Sequence, residues 1–545
     1  MTRPSRPATG EDAAPDVRVD VQPRRTIGPV FIALLIVSPA ASPAVSIWAG
    51  NVAQIPKTHR LVVVAGVLVI VGAVVFSALR RLLGDARVAA FITFFIVLAL
   101  TSGGRILESR PWALRWLAAV IVVTLVALIV RRLRDTWLLD AIMAACGAAL
   151  LLPGLIDGIW ASVAHADSIP SAATPEPVAE MGQHPDIVLV ILDGYTSLPV
   201  LREVFGRDDP SLRDDLAGLG FELVEPVFSP YSMTHLSVGS LLELDYLATD
   251  IHSMEIEDGR TMEQVIGGDN TLVDLLSGNG YRITMAEPGW HMSVCGDPID
   301  VCIPDPFIDE GVGAVLAQSL VWSFLESSTG SAFTHGARHA MRWALDSVGE
   351  ILDNAVPDFV FVHVLAPHPP LLLDSSCRVT HDRRLGGINM AVADAGPETT
   401  RVRLAAYANQ TRCVDSFVRD LALSVEGTDS LVFVVGDHGS DVMNQLSTVP
   451  VDWSEPQILE RMSVFLAVKA PLRCEGVSSL VTVPLFRSLV ACAGDLDLEP
   501  VEERAFLLSQ AEVDGQRADM AVLDAGQLGR LASCLPVVDE NLECR

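Results

Sequence analysis

The chain is short of positive charge, and the shortage is uneven. Its 545 residues carry 38 Lys and Arg against 67 Asp and Glu, a formal net charge of −29. Residues 1–160 hold 16 basic against 9 acidic residues, which leaves 22 against 58 for the remainder. An acidic back portion excludes the basic face that nucleic-acid binding needs, so no nucleic-acid partner is expected. No two cysteines have CxxC spacing, which disfavours a cysteine zinc site. No internal repeat is visible. The length also exceeds one ordinary domain.

The front of the chain has apolar length instead. Five segments stand out, near 27–48, 61–79, 88–103, 113–130 and 137–156. A spanning helix needs about 20 mostly apolar residues, and the third segment is short of that. Arg3, Arg6, Arg18, Arg24 and Arg25 precede the first segment; Arg80, Arg81 and Arg87 flank the second loop; Arg131, Arg132 and Arg134 fill the fourth. The positive-inside rule makes these regions cytoplasmic. The other two loops carry the lighter load of Lys57, Arg60, Arg105 and Arg110. An odd number of spans then puts the rest of the chain outside. A cleaved signal peptide is the competing reading of the first segment; the long polar lead and the following spans argue against it. The organisation predicted is a cytoplasmic tail (1–26), a five-span transmembrane domain (27–160), a linker (161–183) and an extracytoplasmic catalytic domain (184–545). That makes a multi-pass plasma-membrane protein.

Cys146 lies in the fifth segment. Cys295, Cys302, Cys377, Cys413, Cys474, Cys492, Cys534 and Cys544 form an even set beyond the membrane, which suggests disulfides in an oxidising compartment. Neighbours in order would pair Cys295–Cys302, Cys377–Cys413, Cys474–Cys492 and Cys534–Cys544. Sequence leaves the connectivity open.

Beyond the linker, apolar strand-like runs alternate with helical patterns. Ile187–Leu192, Tyr281–Met285, Pro357–Leu365, Leu431–Val435 and Ser463–Val468 read as strands. Ser211–Leu219, Thr271–Leu276, Gly313–Val348, Arg401–Leu423 and Leu485–Ala491 read as helices. Such alternation predicts an α/β domain with a mostly parallel central sheet covered by helices on both faces. Three of the runs deliver chemistry at their carboxyl ends, where open α/β sheets place their sites: Asp193, His368, and the pair Asp437-His438. Each arrival is weak alone, since an Asp after a strand commonly just starts a turn. Together they converge on one sheet edge. A fourth element, Ser229-Pro230-Tyr231-Ser232-Met233-Thr234, puts turn residues before Thr234 and a helical pattern after it. The Thr234 hydroxyl then sits at a helix N-terminus, where an anion is favoured. Asp193, Asp437, His438 and the Thr234 oxygen make a ligand set for one divalent cation, Zn²⁺ or Mn²⁺. The ion would lower the hydroxyl's pKa for attack on phosphorus, giving a phospho-threonine. His368 would bind phosphoryl oxygens or protonate the leaving group.

The runs LDGY, PYSMTHLSVGSLLELDYL, VHVLAPHPP and VVGDHGSD, in this order, resemble the sulfatase-like branch of the alkaline phosphatase superfamily. The resemblance covers about residues 184–495 and includes Glu460-Arg461. It is nearest to membrane enzymes with five spans and an outer catalytic domain, the lipoteichoic acid synthase and phosphoethanolamine transferase types. It implies an alkaline-phosphatase-like fold and one metal held at Asp193, Thr234, Asp437 and His438. The chain departs from the formylglycine pattern C/S-x-P-x-R: Cys302-Ile303-Pro304-Asp305-Pro306 and Ser197-Leu198-Pro199-Val200-Leu201 both lack the Arg, which disfavours sulfate ester hydrolysis. No histidine follows His438, which puts in doubt a second metal and the extra substrate histidines of the phosphoethanolamine transferases.

Other residues carry bland readings beside functional ones. Tyr195 contacts substrate or packs. His235 touches phosphate or lies on the helix surface. His363, inside a strand, reads first as a satisfied core histidine. Ser232 and Ser237 compete with Thr234 as nucleophile. The sequon at Asn409 lies mid-helix and reads as chance, and Glu287 and Trp290 could line the cleft. Three functions remain open. One is a transferase moving a phosphorylated head group from a membrane lipid to an envelope glycan or lipid. Another is a hydrolase of phosphate or sulfate esters, and the third a non-catalytic envelope binding protein.

Overall fold

A computed structural model describes residues 28–51, 57–106, scattered positions in 120–132, 137–167, 179–247, 260–320, 332–352, 355–380, 382, 385, 396–513, 516–517, 519–538 and 542–543. At the front run helices α1 (Pro29–Gly50), α2 (Thr58–Leu83), α3 (Ala86–Ile106) and α4 (Trp137–Asp167). Among the described residues, Pro29–Gly50, Thr58–Leu83 and Leu139–Val163 are long and apolar enough to cross a membrane; the apolar stretch Ala86–Ser102 is shorter. Most of the fourth predicted segment lies outside the described residues. Outward-facing Val62, Val67, Ile70 and Val74 on α2 suit a lipid-facing surface.

The catalytic part is built on β1 (Ile187–Leu192), β2 (Glu222–Leu223), β3 (Arg282–Ala286), β4 (Val301–Ile303), β5 (Asp358–Val364), β6 (Leu431–Gly436) and β7 (Leu466–Lys469). Their order in the sheet is β2-β7-β6-β1-β5-β3-β4. β1 is fully buried and lies between β5 and β6, parallel to both, with Leu192 level with Val364 and Gly436. Burial on both faces is why β1 reads as an unbroken apolar run rather than an alternating one. Its residues still divide by period two. Val188, Val190 and Leu192 join the core under α9 (Ala332–Ile351) and α10 (Pro397–Ser424). Ile187, Leu189 and Ile191 join the core under α6 (Thr234–Glu243), α7 (Thr271–Gly278) and α12 (Thr482–Gly494).

Several boundaries differ from the sequence reading. The helix predicted for Gly313–Val348 is divided: α8 (Glu310–Ala317) ends before a turn, and α9 follows beyond residues that are not described. The helix predicted from Ser211 is α5 (Pro210–Gly218), with Asp209 at its N-cap position and Pro210 at its first turn, where a missing N–H costs nothing. The strand predicted for Ser463–Val468 is β7, and it runs antiparallel to β6 after α11 (Glu455–Met462). The loop around Cys295–Cys302 holds the edge strand β4, whose three residues are too few for a periodic signal. Disulfides join Cys295–Cys302, Cys377–Cys413 and Cys474–Cys492. Cys534 is also disulfide-bonded, and Cys544 lies outside the described residues.

Candidate active site

Because β1, β5 and β6 are parallel and in register, their carboxyl ends stop at one level. Asp193, the Ala366–Pro370 loop and Asp437-His438 leave from that edge. Ligand atoms of Asp193, Asp437 and His438 lie within 4.8 Å of one another, and all three residues are buried. His438 Nε2 is 3.7 Å from Asp193 Oδ1 and 3.5 Å from Asp437 Oδ2. Thr234 Oγ1 is 3.0 Å from the same Nε2. Thr234 is the first residue of α6, so the helix N-terminus points its hydroxyl into the group.

The hydrogen bonds around this group leave specific atoms unmade. Asp437 Oδ1 accepts from the N–H groups of Gly194 and His438 at 2.8 and 2.9 Å. Asp437 Oδ2 and Asp193 Oδ1 are buried without a hydrogen-bond partner. His438 Nδ1 lies 2.8 Å from Gly439 O and donates to it, so Nε2 is the nitrogen with the lone pair. Two orphaned carboxylate oxygens and an unprotonated nitrogen in one buried space fit a divalent ion. Burial and the Asp437 carboxylate push Asp193 well above the usual carboxylate range, against the pull of Arg461. Burial and the Arg461 cation hold His438 well below the ordinary imidazole value. Both shifts express a site that is costly to charge without a cation.

A cleft of about 300 Å³ opens beside the group, lined among others by His368, Tyr407, Asp441, Arg461 and Gln510. The His368 ring centroid is 6.4 Å from that of His438. His368 Nδ1 donates to Pro369 O at 2.6 Å, which makes Nε2 the basic nitrogen, and burial lowers its pKa. The competing hydroxyls are engaged elsewhere. Ser232 Oγ donates to Leu508 O at 2.7 Å and accepts from Leu508 N at 2.8 Å. Ser237 Oγ donates to Tyr231 O at 2.8 Å. His235 is half-buried.

Tyr195 is fully buried, stacks on Phe465 with centroids 4.6 Å apart, and bonds Asp415 through its hydroxyl. Its place is structural. His363 is buried with Nε2 3.8 Å from Asp193 Oδ2 and Nδ1 3.0 Å from Ser293 Oγ. Its Nε2 is buried beside that site carboxylate without a hydrogen-bond partner. Burial pushes its pKa down to about 4. Trp290 meets the His363 ring edge-on at 5.3 Å, and Glu287 is ion-paired with Lys57.

The sequence model of the Sulfatase family matches residues 185–462, just over half of the chain. The chain belongs to the sulfatase family. It is an enzyme of the sulfatase-like type. No curated protein matches it significantly by sequence. Solved structures with a similar fold include the C-terminal periplasmic domain of EcEptC from Escherichia coli in complex with Zn, at 13% identity over 59% of this chain and 87% of that one, TM-score 0.35. Lipooligosaccharide phosphoethanolamine transferase A (EptA) from Neisseria meningitidis aligns at 15% identity over 85% of this chain and 95% of that one, TM-score 0.36. Phosphonate monoester hydrolase of Agrobacterium radiobacter aligns at 12% identity over 59% and 80%, TM-score 0.37.

Residues that support the family site were not individually legible. Arg461 donates from Nε and Nη2 to Ser232 O and from Nη1 to Gly439 O. Glu460 accepts from Ser440 Oγ, Val442 N, Met443 N and Gln445 Nε2, and so shapes the loop after the Asp-His pair. Gln410, the middle of the sequon, is buried and donates to Pro367 O and His368 O. Tyr407 donates to Gly194 O at 2.6 Å. The adjacent charges of Glu460-Arg461, just before an apolar run, were the one available signal.

Proposed function

We propose that this enzyme is a metal-dependent transferase that moves a phosphorylated head group from a membrane lipid to an envelope glycan or lipid. The observation that carries the reading is the Thr234 hydroxyl, held at a helix N-terminus 3.0 Å from His438 Nε2 and beside two orphaned carboxylate oxygens. One divalent ion, Zn²⁺ or Mn²⁺, would be held by Asp193, Asp437, His438 and Thr234, and would supply charge to stabilise the alkoxide and the phosphoryl oxygens. Thr234 Oγ gives up its proton and attacks phosphorus, the P–O bond to the lipid alcohol breaks, and the departing alcohol oxygen takes that proton. The acceptor hydroxyl then attacks the phospho-threonine, loses its proton, and Thr234 leaves. His368 Nε2 borders the cleft and is suited to relay the proton within each step, first from Thr234 to the lipid alcohol and then from the acceptor hydroxyl back to Thr234.

A transferase on lipids needs its site beside the bilayer, in an extracytoplasmic domain carried by membrane spans. Contacts between the first loop of the membrane helices and the catalytic part support that placement, since both must lie on one side. A hydrolase of phosphate or sulfate esters, with water as acceptor, is the second reading, and the same residues serve it. The test is mass spectrometry of the purified enzyme after incubation with head-group-labelled phospholipid and Mn²⁺ or Zn²⁺. The transferase reading expects a labelled phosphoryl adduct on Thr234 that is lost on adding acceptor. Free labelled head group forming at the full rate without acceptor would favour the hydrolase.

A further inference from the structure

The carboxyl edge of the sheet does more than deliver the site residues. β3 and β4 are parallel to β5, with Ala286 level with Val362 and Ile303 level with Ala286. Glu287 and Asp305 therefore leave from the same edge as Asp193. Lys57 forms ion pairs with both Glu287 and Asp305. Arg60, in the first turn of α2, grips Asp305 with two nitrogens, each at 2.8 Å, and reaches Asp309 at 3.0 Å and Pro306 O at 3.0 Å. The Asp305 side chain is 2% exposed and that of Arg60 10%, so this two-pronged pair is removed from water. Two further contacts run alongside. α8 sets Val312 and Val315 against Ala44, Leu61 and Val64 of α1 and α2, and Leu320 N donates to Leu100 O of α3 at 3.0 Å.

The same segment touches the site. Glu287 accepts from Cys295 N, and between them lie Trp290 against the His363 ring and Ser293 on His363 Nδ1, with His363 backing Asp193. A charged buried pair has a narrow geometry, and a broken one leaves an uncompensated charge. Such a contact holds one relative orientation rather than many.

Resting on the transferase reading above, we propose that Lys57 and Arg60, clasped by Glu287, Asp305 and Asp309, form a latch that holds the catalytic edge over the membrane helices. The latch is a positioning device for lipid-borne substrate. It keeps the Thr234 site within reach of a donor still seated in the bilayer, and it has no part in the chemistry of a soluble ester.

The test uses the full chain in proteoliposomes. Arg60→Ala and Asp305→Asn should each reduce turnover of a phospholipid donor by about tenfold or more, as removal of one partner from a buried pair predicts. Both should leave turnover of soluble bis(p-nitrophenyl) phosphate unchanged, which also shows that the catalytic part remains folded. Arg60→Lys should recover part of the lipid turnover. An independent readout comes from the lysine content: the chain has only Lys57 and Lys469, and Lys469 is tied to Val425 O and Thr428 O. An amine-reactive reagent followed by mass spectrometry should label Lys57 slowly in the parent protein and faster in both variants. Unchanged labelling of Lys57, or equal loss on both substrates, overturns the latch. Absence of lipid turnover in the parent protein, with Lys57 labelling as expected, instead removes the transferase reading and leaves the latch standing.

Discussion

Two nitrogens of Arg461 donate to one carbonyl oxygen, that of Ser232, Nη2 at 2.6 Å and Nε at 2.9 Å, two residues before Thr234. The third nitrogen donates to Gly439 O at 3.0 Å, one residue after His438. A single buried guanidinium thus fixes the spacing between the hydroxyl and the imidazole. Its planar fork suits that task, and an ammonium cannot make the same three bonds. Arg461→Lys should therefore lower turnover by about tenfold to a hundredfold while the protein still folds. Arg461→Ala takes both donors from Ser232 O and leaves Gly439 O only the His438 Nδ1 bond, so it should also cost on the order of 3 kcal/mol of stability. Melting temperature and turnover measured together check this. Full activity in the lysine variant would show that the fork is not what sets the spacing.

Protons and metal compete for Asp193. Its carboxyl is raised well above the ordinary value by burial and by Asp437, so in the metal-free protein it holds its proton at pH values where a free aspartate is ionised. Metal binding needs the carboxylate, so it must release that proton, and affinity must fall as pH falls. Calorimetric titration with Zn²⁺ or Mn²⁺ in two buffers of different ionisation enthalpy should show proton release. A buffer-independent heat would contradict the shift.

His363 makes a separate pH prediction, this one on stability, from a pKa shifted downward where that of Asp193 is shifted upward. Its folded-state pKa is depressed to about 4 from the ordinary 6.5, chiefly by burial. Below 6.5 the unfolded chain takes a proton that the folded chain refuses, so stability falls with pH until about 4. The full shift corresponds to about 3 kcal/mol. The parent protein should therefore lose more stability than His363→Gln over that window, in metal-free protein unfolded by denaturant. Parallel pH curves for the two would count against the shift.

The core strands were legible because burial on both faces writes itself as uninterrupted Val and Ile runs in Ile187–Leu192 and Leu431–Val435. Asp193, Asp437 and His438 were legible because strand ends are fixed by those runs, and the parallel register then brings them together. Arg461 and Gln410 were not, since their work lies in bonds to carbonyls more than 20 residues away, which no local pattern records. The surroundings of His363 were hidden for the same reason: its bond to Ser293 and its place beside Asp193 are set by the pairing of β5 with β1 and by the loop after β3. The break after Ala317 in the expected long helix was hidden because apolar spacing continues across it.

The Cys377–Cys413 disulfide ties the loop beyond His368 to α10, across a sequence separation of 36. Closing a loop of that length restricts the unfolded chain by about 4 kcal/mol in the chain-entropy picture. Replacing both cysteines by Ala should lower the melting temperature accordingly. Turnover should fall less, because Gln410 still holds Pro367 O and His368 O from the same helix. A variant that keeps its stability but loses turnover would mean that the bridge positions His368 directly.

The ligand and nucleophile roles can be separated by how their variants fail. Asp193, Asp437 and His438 arrive from two strands, and their facing atoms lie within 4.8 Å. Two such carboxylates repel unless a cation or a proton intervenes. Asp437→Asn keeps an Oδ1 that can accept from Gly194 N and His438 N, but it removes one of the paired charges and puts an NH2 group, which cannot ligate a cation, in place of the orphaned Oδ2. It should lose bound metal and turnover together. Thr234→Ala removes only the hydroxyl 3.0 Å from His438 Nε2, so three ligands remain and metal content should persist while turnover falls by at least about a thousandfold. Elemental analysis beside turnover of a generic phosphodiester gives both quantities on one sample. Retained activity in Thr234→Ala would move the nucleophile to water, because the hydroxyls of Ser232 and Ser237 are already bonded to Leu508 O and Tyr231 O. Retained metal in Asp437→Asn would mean that the orphaned Oδ2 is not a ligand, and the site would have to be rebuilt around Asp193 alone.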